Sequence, residues 1–212
     1  MWRESRFPRH ELADCKYLST DVEGVSRLGR VTIGLYNSYD PRNFREAHRR
    51  VLARAGALAL AFDQNLAVFG FPFPEGLSTP REMAEWVAET TSIGEDGLYL
   101  RQLSSSGRFH SFPFPGKGFP PQLGEAVLTT SHPYPGKSVD VDELVAALTG
   151  GRSICLIFGL GPRGVPRSVH EIVRGHLEIT DSDMSLETCT AMGAVSAVIA
   201  HGVRASPRSS RQ

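Results

Sequence analysis

The sequence predicts an α/β protein with a mostly parallel sheet and helices on both of its faces. Apolar, β-branched segments such as residues 31–36 (VTIGLY) and 153–158 (SICLIF) alternate with segments that open on helix-capping residues. Strands that alternate with helices lie parallel, because each helix crosses over the sheet before the next strand begins. With 212 residues and 41% hydrophobic composition, the chain is long enough to bury one sizeable core.

The first predicted unit is a strand followed by a helix. Residues 31–36 form the strand, and residues 37–40 (NSYD) have the composition of a turn. Asp40 and Pro41 are typical of an N-cap and of the first helical position, so we expect a helix to start there. Gly56 is expected to end it.

The following segment is predicted to alternate between strands, a loop and a helix. Residues 57–62 (ALALAF) predict a second strand, and residues 66–69 (LAVF) a short third one. Residues 71–74 (FPFP) are excluded from regular structure, because each proline removes a backbone donor. A capping box at residues 79–82 (TPRE) predicts a helix that runs to about Thr91.

The domain boundaries follow the order and composition of these segments. Residues 1–30 are predicted to be a poorly ordered extension, residues 31–203 a single domain, and residues 204–212 a disordered basic tail. Within the domain, residues 70–124 are expected to be an insertion or loop-rich, and residues 92–124 are the loosest part.

The last third of the chain is predicted to be regular again. The expected elements are a strand at 125–130, a helix opened by a capping box at 140–143 (DVDE) and ended near 150–151, a strand at 153–158, a strand at 176–180, and a helix from 185 to about 200.

Composition excludes several classes of protein. The formal net charge is zero, so no global field draws the chain to nucleic acid or membrane. Cys15, Cys155 and Cys189 are far apart in the sequence, so we expect them to be reduced intracellular thiols. No apolar run is long enough to span a membrane, no motif has the spacing of metal ligands, and we expect a cytoplasmic protein without metal. Arginines dominate the basic residues, which suits phosphate binding or reflects genome composition.

A glycine-rich loop follows the strand at 153–158. Gly159, Gly161 and Gly164 spell G-x-G-x-x-G, the pattern of a dinucleotide-binding turn. Such a turn opens its fold, whereas only 48 residues follow Gly164. Pro162 and Pro166 also remove N–H groups that a phosphate cradle needs. We therefore expect a loop that brings backbone close to another ligand.

Three irregular loops are expected to form one pocket, because the carboxyl ends of parallel strands meet at one edge of the sheet. They are residues 129–131 (TTS), the glycine loop, and residues 179–186 (ITDSDMSL). Small residues and hydroxyls with little charge suit a flat, mostly neutral heterocycle such as adenine. The absence of G-K-[ST] argues against a triphosphate.

These loops, in this order, resemble the cofactor loops of the SPOUT superfamily of RNA methyltransferases. Residues 158–165 (FGLGPRGV) are similar to F-G-x-E-x-x-G-L, and residues 185–194 (SLETCTAMGA) to S-L-N-x-x-x-A-x-G-I. Asp40–Asn43 with Arg49 resembles N-P-x-N-x-x-x-x-x-R of the branch that methylates ribose 2′-hydroxyls. Several of these strings are also similar to an uncharacterised archaeal family within SPOUT.

The resemblance implies a C-terminal trefoil knot, a homodimer, S-adenosylmethionine as cofactor and RNA as substrate. It implies that the cofactor is bound by Thr129, Thr130, Ser131, Phe158, Gly159, Leu160, Gly161, Gly164, Ile179, Asp181, Met184, Ser185 and Leu186. Two departures from the motifs bear on activity: Gly161 stands where the family usually has Glu, and Glu187 where it has Asn.

Candidate catalytic residues come from the same resemblance and from helical spacing. They are Arg49, Arg45, Arg42, Asn43 and Glu187, with Arg42, Arg45 and Arg49 expected on one helix face at the mouth of the pocket. Candidate RNA contacts are Asn37, Tyr39, Arg42, Arg50 and Arg163. A solvated basic helix face and plain turn chemistry remain the alternatives for these residues. For function, the alternative is a knotted dimer that binds RNA or a nucleotide-like ligand without catalysis.

Overall fold

The computed structural model describes residues 28–92, 96–161 and 164–206. These residues form a sheet of seven strands, all paired in parallel. The strands are β1 (Val31–Asn37), β2 (Asn65–Phe69), β3 (Phe109–Phe112), β4 (Glu125–Thr129), β5 (Ser138–Val139), β6 (Ile154–Leu160) and β7 (Gly175–Leu177). Their order across the sheet is β3-β2-β1-β6-β4-β7-β5. The parallel α/β architecture that the sequence predicts is confirmed.

Six α-helices accompany the strands in the described residues. They are α1 (Glu46–Ala61), α2 (Pro80–Thr90), α3 (Asp96–Ser105), α4 (Val141–Thr149), α5 (Arg167–Ile172) and α6 (Thr188–Ala205). The larger core cluster lies where α1, α2, α3, α4 and α6 pack on one face of the sheet. A smaller cluster on the other face is covered by α5 and by partly buried Phe112, Phe119 and Val165.

The two central strands, β1 and β6, are apolar because both of their faces are covered. They pair along their whole length, from Val31 beside Ile154 to Asn37 beside Leu160. Ile33, Leu35 and Phe158 in these strands are almost completely buried. Continuous apolar runs of this kind are typical of parallel strands.

The predicted strand at residues 57–62 is wrong, because α1 continues to Ala61. Alanine and leucine are strong helix formers, and an apolar run of six residues does not by itself distinguish a buried strand from a buried helix. Gly56, predicted to end the helix, lies inside it. A Cβ there would lie 2.9 Å from the Cα of Leu100, so the glycine lets α3 approach α1 closely. The strand after α1 is β2.

The predicted helix start at Asp40 is also wrong, because α1 begins at Glu46. Asp40 instead stabilises a turn: its Oδ1 accepts hydrogen bonds from the N–H groups of Arg42 and Asn43, both at 3.0 Å. An aspartate that bonds to main-chain groups two and three positions later is common in turns as well as at helix ends. The sequence signal was therefore real, but it belongs to a turn.

Residues 92–124 hold more regular structure than expected. They contain α3 and β3, and β3 extends the sheet by pairing with β2. Residues 70–124 therefore contribute a strand to the sheet, whereas their description as an insertion stays a prediction. The short elements β5 and α5 were not predicted. Residues 71–74 form no helix or strand, as predicted, and the Thr79 hydroxyl caps α2 by accepting from the N–H of Glu82.

Some sequence predictions fall outside the described residues. Most of the N-terminal extension, residues 1–27, and the end of the basic tail, residues 207–212, belong to this group. The first residues of the predicted tail, Arg204 and Ala205, are the last residues of α6.

Candidate functional site

A cavity of about 750 Å³ lies at the carboxyl ends of β4, β6 and β7. Its wall consists of the loops that follow these strands, the first turns of α6, and Tyr39 and Ala47 from the β1–α1 region. Volumes of this size are typical of sites for small molecules and cofactors. The location is the one where open α/β sheets bind ligands.

The glycine loop is shaped by a close approach to the loop that follows β1. Gly161 has φ = 130°, and a Cβ there would lie 3.0 Å from both Ser38 O and Tyr39 Cα. Ser38 holds the two loops together, since its N–H and its hydroxyl both donate to Leu160 O, at 3.1 and 2.9 Å. A side chain at position 161 would push the loops apart. The glutamate usual in the SPOUT motif therefore has no room here.

Hydroxyl groups connect the three loops to one another. Thr129 Oγ1 donates to Ile157 O at 2.9 Å, and Thr188 Oγ1 donates to Gly159 O at 2.9 Å. The hydroxyls of Ser131 and Ser185 lie 2.8 Å apart. Elements distant in sequence are thus fixed against one another around the cavity.

Glu178 organises the loop after β7. Its carboxylate accepts from the N–H of Thr180 at 2.7 Å and of Asp181 at 2.6 Å, and from the Thr180 hydroxyl. Burial favours a raised pKa for Glu178, but these hydrogen bonds outweigh it and lower the pKa. Asp181 and Asp183 both have φ = 52°, in the left-handed region that is uncommon for residues other than glycine. Sequence reasoning missed Glu178 because it assigned this residue to a strand.

The N-terminus of α6 is capped by Glu187. One carboxylate oxygen accepts from Cys189 N at 2.8 Å and from Thr190 N at 3.1 Å. The helix begins at Thr188, three residues later than predicted. Glu187 lines the cavity, so this carboxylate has both a capping contact and a place in the site.

The structure brings most of the predicted cofactor residues to this cavity. Those that line it are Thr129, Thr130, Ser131, Gly159, Leu160, Gly161, Gly164, Ile179, Met184, Ser185 and Leu186. Phe158 does not, because its ring is buried in the core. Asp181 is exposed on the loop after β7 and does not line the cavity either. Their binding of a cofactor remains a prediction.

The predicted arginine face does not form, because residue 42 precedes α1 and lies in a turn. Arg45 pairs with Asp40 at 3.0 Å. The hydrogen bond from the Arg42 N–H has the largest effect on the pKa of the Asp40 carboxyl and the one from Arg45 the second largest; both hold this pKa below its usual range. Arg49 lies over the Trp86 ring, 4.7 Å from its centroid, and donates to Thr90 Oγ1. Arg50 pairs with Glu46. None of the described arginines lines the cavity.

Asn37 is not free to contact RNA, in contrast to its predicted role, because its side chain is buried and fully hydrogen-bonded. Its Nδ2 donates to Asp40 O and to Gly70 O, and its Oδ1 accepts from Tyr39 N and from His48 Nε2. Asn43 bonds to the Asp40 carboxylate. Of the other predicted RNA contacts, Tyr39 and Arg42 are exposed, whereas Arg163 lies outside the described residues.

An aromatic cluster beside the cavity was not predicted. Tyr134 stacks on His170 with ring centroids 4.6 Å apart, and His176 meets both rings edge-on. His176 Nδ1 accepts from Tyr134 N at 2.9 Å. Burial lowers the pKa of both histidines, so both are neutral near pH 7. His170 Nδ1 is buried without a hydrogen-bond partner among the described residues. No periodicity or motif in the sequence predicts the contacts among these three rings.

The described lining residues of the cavity carry acidic but no arginine or lysine side chains. The acidic groups are the carboxylates of Glu178 and Glu187. Such a lining disfavours phosphate groups and suits a neutral or positively charged ligand. In the described part of the chain, no cluster of three or more His, Cys, Asp or Glu side chains has the arrangement of a metal site. None of the described helices is both long and apolar enough to cross a membrane.

Comparison with known sequences identifies a family and a relative. The family described as "Protein of unknown function (DUF531)" matches residues 31–200. The uncharacterized protein MJ0224 of Methanocaldococcus jannaschii is 38% identical over 175 residues, which is 82% of this chain and 96% of the relative. The expected kinship with an uncharacterised archaeal family is thereby confirmed.

Solved structures share the fold at low sequence identity. A protein assigned to a methylase family from Neisseria gonorrhoeae has a TM-score of 0.55 and 17% identity, with 87% of each chain covered. A probable methyltransferase from Bordetella pertussis Tohama I has a TM-score of 0.52 and 13% identity, covering 82% of this chain and 96% of that one. A probable methylase family protein from Haemophilus influenzae Rd KW20 has a TM-score of 0.52 and 12% identity, covering 84% and 67%. These likenesses show that the chain shares the α/β fold of these proteins, while the knot stays a prediction.

Proposed function

We propose a function for this chain, which belongs to the DUF531 family of proteins of unknown function: it is an RNA methyltransferase that uses S-adenosylmethionine. The observation that carries the proposal is the single cavity into which the loops after β4, β6 and β7 converge. These are the loops that resemble the SPOUT cofactor motifs. The fold likeness to methylase family proteins supports the same assignment.

The residues present fit S-adenosylmethionine. The cavity has room for a nucleoside with a short side chain, and its hydroxyls and glycine backbone suit a heterocycle held by main-chain hydrogen bonds. The loops at 129–131, 159–161 and 184–186 would hold the adenosine part. Glu178 and Glu187 would balance the positive charge that the cofactor carries. When bound, the cofactor supplies a methyl group on a positively charged sulfur.

The chain's own contribution is to position the acceptor and to take its proton. Arginine remains protonated in proteins, so none of the predicted arginines can act as an ordinary base. Glu187 lines the cavity, and only one of its oxygens is engaged in the helix cap. The other oxygen is the group we place next to the acceptor as a general base. The exposed Arg42 would contact an RNA phosphate.

A homodimer knotted at its C-terminus, in the cytoplasm, completes the proposal. A second subunit would supply the cation that the described cavity wall lacks, since none of the described arginines of the same chain reaches it. Light scattering on the purified protein measures the subunit number. A monomer at micromolar concentration would contradict this part.

Two observations favour the second candidate, a knotted dimer that binds RNA or a nucleotide-like ligand without catalysis. The glutamate of the SPOUT motif is replaced by Gly161, where no side chain fits. Arg49 is held against α2. Both changes remove groups that the resemblance assigns to the methylating site. Such a protein would bind the ligand in the same cavity but would not transfer a methyl group.

The experiment that separates the two candidates is methyl transfer from S-adenosylmethionine labelled on its methyl group. Total tRNA and rRNA serve as acceptors, with wild type, Glu187→Ala and Glu187→Ser compared. If the protein is a methyltransferase, wild type should transfer label to RNA, and both variants should transfer at least tenfold less. If the protein only binds its ligand, neither wild type nor any variant should transfer label to RNA, although the cofactor or its product still binds.

A further inference from the structure

We propose that the carboxyl edge of the sheet carries a docking strip for single-stranded RNA, formed by Tyr39, Arg42, Phe114 and Lys117 (the edge strip). This inference rests on the proposed function and specifies its substrate: an unpaired RNA segment whose bases stack on two exposed rings. Neither Phe114 nor Lys117 lines the cavity.

The two rings of the edge strip are unusually exposed for aromatic side chains. Tyr39 is 49% exposed and Phe114 is 41% exposed. Tyr39 lines the cavity and meets the His48 ring edge-on at 5.7 Å. Phe114 contacts Tyr36, with ring centroids 5.2 Å apart. Exposed aromatic rings on a nucleic-acid-binding surface are platforms for base stacking.

Hydrogen bonds of the buried Asn37 side chain connect the segment that carries Tyr39 to Gly70, on which the Phe114 ring lies. Asn37 Oδ1 accepts from Tyr39 N, and Asn37 Nδ2 donates to Gly70 O at 2.8 Å. The Phe114 ring lies directly on Gly70, since a Cβ there would come within 2.5 Å of three ring atoms. The chain of contacts Tyr39, Asn37, Gly70, Phe114 is therefore unbroken. It orients both rings before a ligand arrives, which reduces the entropy lost on binding.

Each exposed ring is followed three residues later by an exposed cation. Arg42 follows Tyr39, and Lys117 follows Phe114. Neither cation forms an ion pair with a described residue, whereas Arg45, Arg49 and Arg50 all lie near acidic side chains. The loop that carries Lys117 stays near this edge, because Phe119 packs edge-on against Phe69 at the end of β2.

Two exposed rings, each followed in the chain by an exposed cation, fit a single strand better than a duplex. In a single strand the bases are free to stack on rings while phosphates pass the cations. In an RNA duplex the bases are already stacked on one another and only the backbone and groove are accessible. The edge strip starts at the cavity wall with Tyr39, so a bound strand would present one nucleotide to the cavity.

The test is fluorescence anisotropy with a labelled 12-nucleotide single-stranded RNA of mixed sequence and with the same RNA as a duplex. Phe114→Leu removes the ring and keeps an apolar side chain. Tyr99→Leu is the matched control, because Tyr99 on α3 is 43% exposed and does not belong to the edge strip. We expect Phe114→Leu to weaken single-strand binding by roughly 5- to 30-fold. Tyr99→Leu should leave it unchanged, and the duplex should bind more weakly in all cases.

The cations have a separate signature in the salt dependence. Removing one phosphate contact to a single strand should reduce the slope of log affinity against log salt by about 0.7. We expect this reduction for Lys117→Ala. Equal slopes for Lys117→Ala and wild type, equal affinities for Phe114→Leu and Tyr99→Leu, or tighter binding of the duplex would each overturn the edge strip. A change in subunit number for Phe114→Leu with unchanged RNA affinity would identify a subunit interface instead.

Cofactor binding keeps this test apart from the proposed function. Phe114 does not line the cavity, so calorimetry should give the same affinity of S-adenosylmethionine for Phe114→Leu as for wild type. If the protein binds the cofactor but no single-stranded RNA, the edge strip is wrong and the cavity assignment survives. If RNA binding depends on Phe114 but no cofactor binds, the edge strip survives and the methyltransferase assignment fails.

Discussion

The Thr188 hydroxyl donates to the carbonyl oxygen of Gly159 at 2.9 Å, which joins the first turn of α6 to the end of β6. The two residues are 29 positions apart in the chain, and both line the cavity. This hydrogen bond therefore fixes the helix that closes the site against the strand that leads into the glycine loop. Its loss should disturb the cavity wall while leaving the rest of the sheet intact.

Thr188→Val should weaken both folding and ligand binding. Valine keeps the branched shape but cannot donate, so the Gly159 carbonyl loses a partner at a cost of about 1–2 kcal/mol in the free energy of unfolding. Cofactor affinity should fall severalfold because the glycine loop is less firmly held. Thermal unfolding and calorimetry measure these two effects. Thr190→Val, whose exposed side chain makes no such bond, should behave as wild type; equal effects of the two variants would refute the role of Thr188.

Gly161→Ala should displace the glycine loop. The added Cβ would lie 3.0 Å from Ser38 O, and φ = 130° is unfavourable for alanine, so we expect a loss of about 1–3 kcal/mol in unfolding free energy. Cofactor affinity should fall at least tenfold. Gly118→Ala is the matched control, because nothing lies within 4 Å of a Cβ at that position and its φ is not positive. Wild-type affinity in Gly161→Ala would show that the loop approach is unimportant for binding.

The fold was more predictable than the site. The strands around residues 33, 127 and 156 were found because parallel strands buried on both faces leave continuous apolar runs. Residues 57–62 were misassigned because a short apolar run of alanine and leucine does not by itself distinguish a buried strand from the end of a buried helix. The edge strand β3 was missed because its sequence, FHSF, carries polar side chains and lies between a serine-rich turn and a proline-rich loop.

Site residues that belong to glycine-rich or hydroxyl-rich sequence motifs were predictable. Site residues that are positioned by long-range contacts were not. The glycine loop and residues 129–131 line the cavity as the motifs suggested. Glu178, Tyr134 and His170 carry no local signal, because their positions depend on how β4, β7 and α5 meet. The arginine face was wrong for a local reason: Asp40 binds the N–H groups of Arg42 and Asn43 in a turn, so residue 42 is not helical.

Glu187 variants should separate a capping role from a chemical role. Glu187→Ala removes the acceptor for Cys189 N and Thr190 N, so α6 should lose about 1 kcal/mol of stability. Glu187→Ser restores a good N-cap but not a carboxylate. Thermal unfolding should therefore recover in Glu187→Ser, while methyl transfer should stay low. Recovery of both would mean that Glu187 serves the helix alone.

Stability should fall in mild acid because of His48. Its ring is completely buried, its Nδ1 accepts from Arg45 N, and its Nε2 donates to Asn37 Oδ1. Burial lowers the pKa of His48 from 6.5 to about 4, so the unfolded state takes up a proton at a higher pH than the folded state does. The stabilisation is complete above pH 6.5 and is lost as the pH falls towards 4. The loss is of the order of 2–3 kcal/mol.

Urea unfolding between pH 7.5 and 4.5 measures this dependence. His48→Gln replaces the imidazole with an amide that can hydrogen-bond but cannot titrate. The imperfect replacement should lower the unfolding free energy at pH 7.5, and this free energy should change less on acidification. His110, His170 and His176, whose pKa values are also lowered by burial, contribute to the same slope in both proteins. An identical slope in wild type and His48→Gln would contradict a neutral, buried His48.

The central claim is that the cavity at the ends of β4, β6 and β7 binds S-adenosylmethionine. Isothermal titration calorimetry of the full chain with S-adenosylmethionine and with S-adenosylhomocysteine tests it most directly, with Gly161→Ala and Gly118→Ala measured beside wild type. The account predicts micromolar binding to wild type and Gly118→Ala, and at least tenfold weaker binding to Gly161→Ala. No heat of binding to wild type at millimolar concentrations of either ligand would contradict it.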